Sequence, residues 1–412
     1  MQDNVDVGSL QVNVQSDIGL LPIEHARVSI SFTGDPVSTV EQVETDDSGQ
    51  SPTLTLPTPP LEYSMESAQP QPYAEYTIRV TAEGYAPLTV NGTQVLPTQL
   101  ALQGIKLQPL KVTDQEQTIV ITPNTLFGTF PPKIAEAEIK PMDESGEIVL
   151  SRVVVPEYVV VHDGPPGDKK AENHYVKYKD YIKNVASSEI YSTWPEATLR
   201  ANILAIMSFT MNRVYTEWYR NKGYDFTVTS STAFDQKWVR GRNTFQSISE
   251  IVDEIFTSFL ARPNVKQPIL TQYCDGKKVT CTNWLSQWGS KYLGDQDYKT
   301  IDIIRYYYGS DMYINQAEEV SGVPASWPRE DLSLGSAGDK VKQMQEQLRR
   351  IAKTYTAIPS VTPDGIFGVS TQAAVKKFQK IFGLPVTGIV DYATWYKISE
   401  LYVGVTRIAE LQ

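Results

Sequence analysis

The stretch TPDGIFGVSTQAAVKKFQKIFGLPVTGIVDYATW, residues 362–395, carries one short signature twice. DGIFGVST at 364–371 is echoed by TGIVDYAT at 387–394, each a glycine turn followed by residues suited to opening a helix. In the first copy Ser370 or Thr371 can cap a helix that turns Ala374, Val375, Phe378 and Phe382 inward and stops at Gly383. Upstream, Asp339 can cap an earlier helix whose Val341, Met344, Leu348 and Ile351 form one apolar stripe. Two copies of a turn-then-helix unit are too few for a solenoid, so residues 331–405 read as a small three-helix domain.

The whole chain has 412 residues, more than one hydrophobic core usually organises, and is expected to be multidomain α+β. Lys plus Arg number 37 against 48 Asp plus Glu, a net charge of -11, so there is no counterion-release term to favour nucleic acid as a partner. No stretch approaches the roughly 20 apolar residues of a membrane span. Even Ile148–Val161 is broken by Arg152, Pro156 and Glu157. The leading MQDNVD is polar and acidic, unlike a secretory signal. Cys274 and Cys281 are too few for a Cys-only zinc site; they can form one local bridge or stay reduced.

From Ser9 to about Leu110, short β-like runs such as SLQVNVQS, ARVSISF and LQGIKLQPL alternate with turn residues. Residues 1–112 therefore read as an N-terminal β-sandwich, with the proline-rich 47–64 supplying an edge and a loop. Residues 113–152 read as an extended linker that proteases accept, with cleavage expected between Glu144 and Pro156. An α+β unit is expected at 153–315, opening on a strand at Val153–His162 and carrying a helix over 196–218 that starts after Pro195. A second linker, 316–330, leads to the C-terminal domain.

The elements DLSLGSAGDKVKQMQEQL, TPDGIFGVSTQAAVKKFQKIFGL and TGIVDYATW together resemble the common peptidoglycan-binding domain of cell-wall hydrolases. Such a domain binds and does not catalyse. The middle unit resembles the catalytic domain of the stage II sporulation protein D family of lytic transglycosylases. That resemblance runs through YIKNVASSEIYSTWPEATLRANILAI at 181–206, FDQKWVRG at 234–241, LSQWGSKYL at 285–293 and IIRYYYG at 303–309. With a sandwich in front and the binding domain behind, the full length is similar to the clostridial spore cortex-lytic enzymes. The resemblance implies a zymogen whose pro-region is removed by a subtilisin-like germination protease. It also implies action on cortex peptidoglycan containing muramic lactam, in the cortex and coat region of the spore, an extracytoplasmic wall.

In YIKNVASSEI, helical spacing puts Ile182, Val185, Ala186 and Glu189 on one stripe, so Glu189 falls on an otherwise apolar face. Desolvation raises the pKa of such a carboxyl, as a general acid near neutral pH requires. The family resemblance assigns the catalytic role to Glu189 as well. In that family one carboxyl acts as acid and then base, and a 1,6-anhydromuramyl end forms without water. Gln236, Tyr273, Ser286, Gln287 and Trp288 fall at matching positions and suit hydrogen bonding to, or stacking on, a sugar.

Some family members bind zinc through a Cys and a His near the DQ segment. Here TVTSSTAFDQ, residues 227–236, has neither, and neither a metal nor any other cofactor is expected. The family's arginine in the following helix corresponds to Met207; Arg213, six residues on, is about 600° round the helix. Two other readings fit the residues. One is an N-acetylmuramoyl-L-alanine amidase, although the three histidines, at 25, 162 and 174, make a zinc site hard to assemble. The other is a non-catalytic wall-binding enhancer or a spore structural protein.

Overall fold

The computed structural model describes residues 5–18, 20–140, 152–317, 319–321, 327–328 and 330–406. Most of the expected cleavage region, up to residue 151, lies outside them.

Strict alternation of apolar and polar residues makes β1 (Asp6–Ser16) a strand with one buried face, Leu10, Val12 and Val14 pointing into the core. It pairs in parallel with β7 (Leu100–Leu107) and antiparallel with β4 (Leu54–Thr58). β4 is an edge strand, where Pro57 removes no ladder bond that a further strand would need. A second sheet has the order β3-β2-β5-β6-β8, formed by β2 (Arg27–Phe32), β3 (Asp35–Glu44), β5 (Ala74–Thr81), β6 (Leu88–Val95) and β8 (Gln117–Val120). A single-turn helix, α1 (Glu62–Met65), follows β4. The first sheet is completed from outside the front unit: β13 (Thr244–Phe245) pairs with β7 through Thr244–Leu102 and Phe245–Ala101.

The middle unit is built around α3 (Glu196–Tyr215), whose residues are buried on nearly every side, so the helix is central and not amphipathic. It ends three residues short of the expected 218; the Thr216 hydroxyl caps it by donating to the Asn212 carbonyl at 2.7 Å, and Glu217 turns to φ 47°. Around it lie α2 (Tyr178–Glu189), α4 (Gln246–Ile255), α5 (Gln287–Gly294) and α6 (Thr300–Tyr308). Small sheets surround them. β10 (Tyr158–His162) pairs with β11 (Asn173–Lys177) and β12 (Val228–Thr229). β9 (Val154–Val155) pairs with β18 (Glu319–Val320), β14 (Ser258–Ala261) with β17 (Tyr313–Gln316), and β15 (Tyr273–Cys274) with β16 (Leu285–Ser286).

The C-terminal domain is three helices: α7 (Asp339–Ala352), α8 (Val369–Ile381) and α9 (Tyr392–Thr406). The sequence repeat has a physical basis in two buried glutamines. Gln345 accepts from the Gly365 amide at 2.9 Å and donates to Ile366 O at 2.9 Å and to Thr371 Oγ1 at 3.0 Å. Gln379 repeats this on Gly388 N (2.8 Å), Ile389 O (2.8 Å) and Thr394 Oγ1 (3.1 Å). Gly365 and Gly388 have φ of 78° and 74°, a conformation that other residues adopt only with strain. The helix caps differ from expectation. α7 and α8 follow Gly338 and Gly368, Asp339 makes no side-chain cap, and Ser370 and Thr371 lie inside the first turn, where Gln345 takes the Thr371 hydroxyl.

One hydrophobic core runs through all three units, from Leu10 through Ile203 to Leu401. The C-terminal domain is further tied to the middle unit by ion pairs of Glu400, next to a buried cluster inside the middle unit. Glu400 of α9 meets Lys177 at 3.2 Å and Lys179 at 3.4 Å, while Asp253 of α4 meets Lys179 at 3.0 Å and Lys183 at 2.6 Å. Burial pushes the Asp253 carboxyl up, but the two lysines beside it hold it down at about 2. The front unit reaches the same domain through Tyr355, whose hydroxyl accepts from Gln15 at 2.9 Å and donates to Leu20 O at 3.0 Å.

Gln379→Leu leaves the Gly388 amide and the Ile389 carbonyl without partners and is expected to cost about 1–3 kcal/mol. Hydrogen exchange should show the loss as faster exchange at Gly388 and along α8; unchanged protection would mean that the glutamine does not hold the repeat together.

Candidate active site

Glu189 is the last residue of α2, and its side chain is 2% exposed. Its burial follows from the stripe that carries it, since Ile182, Val185 and Ala186 are all fully buried. Three groups fix the residue. The Lys237 amide donates to Oε1 at 2.7 Å, the Tyr273 hydroxyl donates to Oε2, and the Gln287 amide donates to the Glu189 carbonyl at 3.0 Å.

Burial raises the Glu189 pKa above the ordinary carboxylate range; Lys133, the Tyr273 hydroxyl and the Lys237 amide oppose the rise without cancelling it. The result is a carboxyl that holds its proton to higher pH than a solvated one.

Tyr273 is oriented by Gln236, which is itself wholly buried. The Gln236 oxygen accepts from Tyr181 Oη at 3.1 Å and Thr210 Oγ1 at 2.8 Å. Its amide nitrogen donates to Ile206 O at 3.0 Å and to Tyr273 Oη at 3.1 Å. With the phenol oxygen already accepting that bond, its own proton is left to point at Glu189. Gln236 therefore reaches the site through Tyr273 and presents no free group to a ligand.

The cleft above Glu189 is lined by Thr125, Phe130–Lys133, Thr232, Tyr273–Asp275, Lys278 and Gln287, among others. Cys274 and Cys281 are joined by a disulfide, with Cα atoms 5.7 Å apart. The loop they close is clasped to the opposite wall, where Lys278 Nζ donates to the carbonyls of Leu126, Phe127 and Gly128 at 3.0, 2.8 and 2.7 Å.

Of the other residues singled out by sequence, Gln287 lines this cleft. Ser286 spends its hydroxyl capping α5, accepting from Gly289 N at 3.0 Å. Trp288 is 8% exposed and packs with Trp194 and Tyr191 at centroid distances of 5.0 and 6.1 Å. His162 and His174 sit on β10 and β11, outside the cleft lining.

Two features had no clear signal in the sequence. Met207 is buried in α3, and Arg213, on another face as its spacing implies, still reaches the DQ segment. Its Nε donates to Asp235 Oδ1 at 2.7 Å and its Nη2 to Phe234 O at 3.1 Å, bracing the residue beside Gln236. The second feature is the segment 125–140, which lies against the middle unit and carries Lys133 into the cleft. The Lys133 ammonium stands 4.8 Å from the Tyr273 ring centroid and donates to Asp235 O. Among the described residues no group of three or more His, Cys, Asp or Glu is placed to hold a metal ion, and no helix is long and apolar enough to cross a membrane.

The raised pKa of Glu189 links its protonation to stability. The unfolded chain ionises first as pH rises, so native protein loses stability relative to Glu189→Gln from the ordinary carboxylate value up to the folded value. Above and below that window the difference is constant. Tyr273→Phe removes a bond that favours the carboxylate and should move the upper edge to higher pH. Denaturant midpoints over a pH series measure both shifts; parallel curves for native protein and Glu189→Gln would contradict the raised pKa.

Comparison with known proteins fixes one part of the chain. Residues 337–398 match the family described as "Putative peptidoglycan binding domain". The chain is 41% identical over 70 residues to "Zinc D-Ala-D-Ala carboxypeptidase" of Streptomyces albus G, covering 17% of this chain and 26% of that protein. It is 42% identical over 69 residues to "Uncharacterized protein in bpoA1 3'region" of Kitasatospora aureofaciens, covering 16% of this chain and 53% of that one. The chain thus spans about a quarter and about half of these relatives' lengths. A structure titled "The crystal structure of SleB N-terminal domain" is 27% identical, covering 19% of this chain and 99% of that chain, at a TM-score of 0.17. The three-helix unit at the C-terminus is a peptidoglycan-binding domain.

Proposed function

We propose that the chain is a spore cortex-lytic enzyme of the SleC type. In this reading it is a lytic transglycosylase that cuts peptidoglycan between N-acetylmuramic acid and N-acetylglucosamine while its C-terminal domain holds the insoluble substrate. The observation that carries the proposal is the Glu189 carboxyl: buried, protonable above the ordinary range, and facing a cleft. The cleft's other carboxylate, Asp275, is engaged in its own turn, accepting the Lys278 and Val279 amides at 2.9 Å each. A single carboxyl with a raised pKa suits a reaction that needs no second carboxylate to activate water.

In that reaction protonated Glu189 gives its proton to the glycosidic oxygen as the bond from C1 of the muramyl residue breaks. The C6 hydroxyl of the same residue closes on C1, and its proton returns to the Glu189 carboxylate. Tyr273 and the Lys237 amide stabilise the carboxylate in the interval between the two transfers.

A disulfide and a wall-binding domain suit an oxidising, extracytoplasmic setting. We place the protein in the spore cortex and coat region, acting on muramic-lactam-containing cortex. Its zymogen is opened by a subtilisin-like germination protease between Glu144 and Pro156, severing the covalent link from a pro-region at 1–112 and its linker at 113–152 to the enzyme. The catalytic unit is then 153–315, joined by 316–330 to the binding domain at 331–405. Gln287, which lines the cleft, is the residue we assign to sugar contact; Trp288 packs against Trp194 and Tyr191 outside the lining, and Gln236 and Ser286 position Tyr273 and α5.

Digested cortex analysed by mass spectrometry should contain anhydromuramyl ends; free reducing ends or released peptides in their place would reject transglycosylation. Glu189→Gln should lower product formation by roughly 100-fold or more while leaving binding to peptidoglycan intact. Undiminished product from that variant would remove Glu189 from the mechanism.

A further inference from the structure

Residues 130–140 form no helix or strand, yet they are held along the middle unit at every second position. The Gln272 side chain brackets the strap's backbone, donating to Ile134 O at 2.7 Å and accepting from Glu136 N at 2.8 Å. Leu270 N donates to Glu138 O at 3.0 Å, and Gln267 brackets Lys140, accepting from its amide at 3.0 Å and donating to its carbonyl at 2.9 Å. The inward side chains meet matching charge. Glu136 accepts from Arg213 Nη1 at 3.0 Å, Glu138 accepts from Arg262 Nη2 at 3.0 Å, and the Lys140 ammonium lies 4.3 Å from the Trp218 ring centroid. The side chains of Pro131, Pro132, Ile134, Ala135, Ala137 and Ile139 are exposed.

We propose that the groove formed by Arg213, Arg262, Gln267 and Gln272 is a binding surface for an extended peptide that presents two carboxylates two residues apart. Its occupant in the intact chain is the strap 130–140, which thereby keeps Phe130 and Lys133 across the Glu189 cleft. The groove reads backbone through amides and two carboxylates, at positions i and i+2, through guanidinium groups, as proteins do when they add an extended peptide. Release breaks these polar contacts and the stacking of Lys133 on Tyr273 and of Lys140 on Trp218. Its effect on activity rests on the reading of Glu189 given above; the contact between groove and strap does not.

The test uses the full-length chain carrying K133A, E136Q and E138Q. Hydrogen exchange at 134–140 should accelerate, and the uncut variant should release cortex fragments about tenfold or more faster than the uncut native chain. A fluorescent peptide with the sequence of 129–140 should bind the variant in trans and reverse that gain. The same peptide with glutamine at both glutamate positions should bind about tenfold or more weakly. E138Q alone, at a half-exposed side chain, should shift exchange in the same direction by less and guards against misfolding of the triple variant. Unchanged exchange in both variants, or equal binding of the two peptides, overturns the proposal. An activated native enzyme that releases nothing from cortex would instead count against the transglycosylase reading, with exchange and peptide binding still deciding the groove.

Discussion

A carboxyl group taken out of water is costly to ionise, and the polar ordering at the centre of the middle unit follows from how Glu189 is accommodated. The residue ends a helix whose inner stripe is apolar, so its side chain enters the interior with the stripe. A bare buried carboxylate would be too costly to form, and the structure meets this with hydrogen bonds that favour the ion while burial favours the acid. Those bonds need partners of fixed orientation. Gln236 supplies it for Tyr273, and Arg213 holds the backbone beside Gln236 through Asp235. The ordering runs outward from one proton.

The same logic of buried amides recurs in the C-terminal domain, with a different end. Gln345 and Gln379 each satisfy a glycine amide, a carbonyl and a threonine hydroxyl, so each turn is tied to the helix before it. In the middle unit a comparable side chain orients Tyr273 toward a buried carboxyl; here they hold the turns of the peptidoglycan-binding domain.

Much of this was legible in the residues. The alternation in SLQVNVQS gave a strand, the doubled DGIFGVST signature gave the C-terminal helices, and the spacing around Glu189 gave its buried face, because each depends on neighbours within a few positions. The caps of α7 and α8 were misplaced because the glycine turns, held by distant glutamines, set where each helix begins. The two cysteines read equally well as bridged or reduced, and only the folded loop pairs them. Trp288 was read from its chemistry, and its tertiary neighbours Trp194 and Tyr191 were not. Residues 125–140 carry no periodicity, so nothing local distinguishes free chain from chain pressed against a groove. The role of Arg213 was hidden for the same reason: its partners Asp235 and Glu136 come from remote parts of the sequence.

The strand β13, lent by the middle unit to the sheet of the front unit, separates two events that are easily treated as one. Cutting the chain between front and middle units severs a covalent link, but the Phe245–Ala101 pairing, the Asn243 bonds to Gln94 and the shared core remain. A nicked molecule is then still a single particle. Scission and departure would then be distinct steps with separate rates.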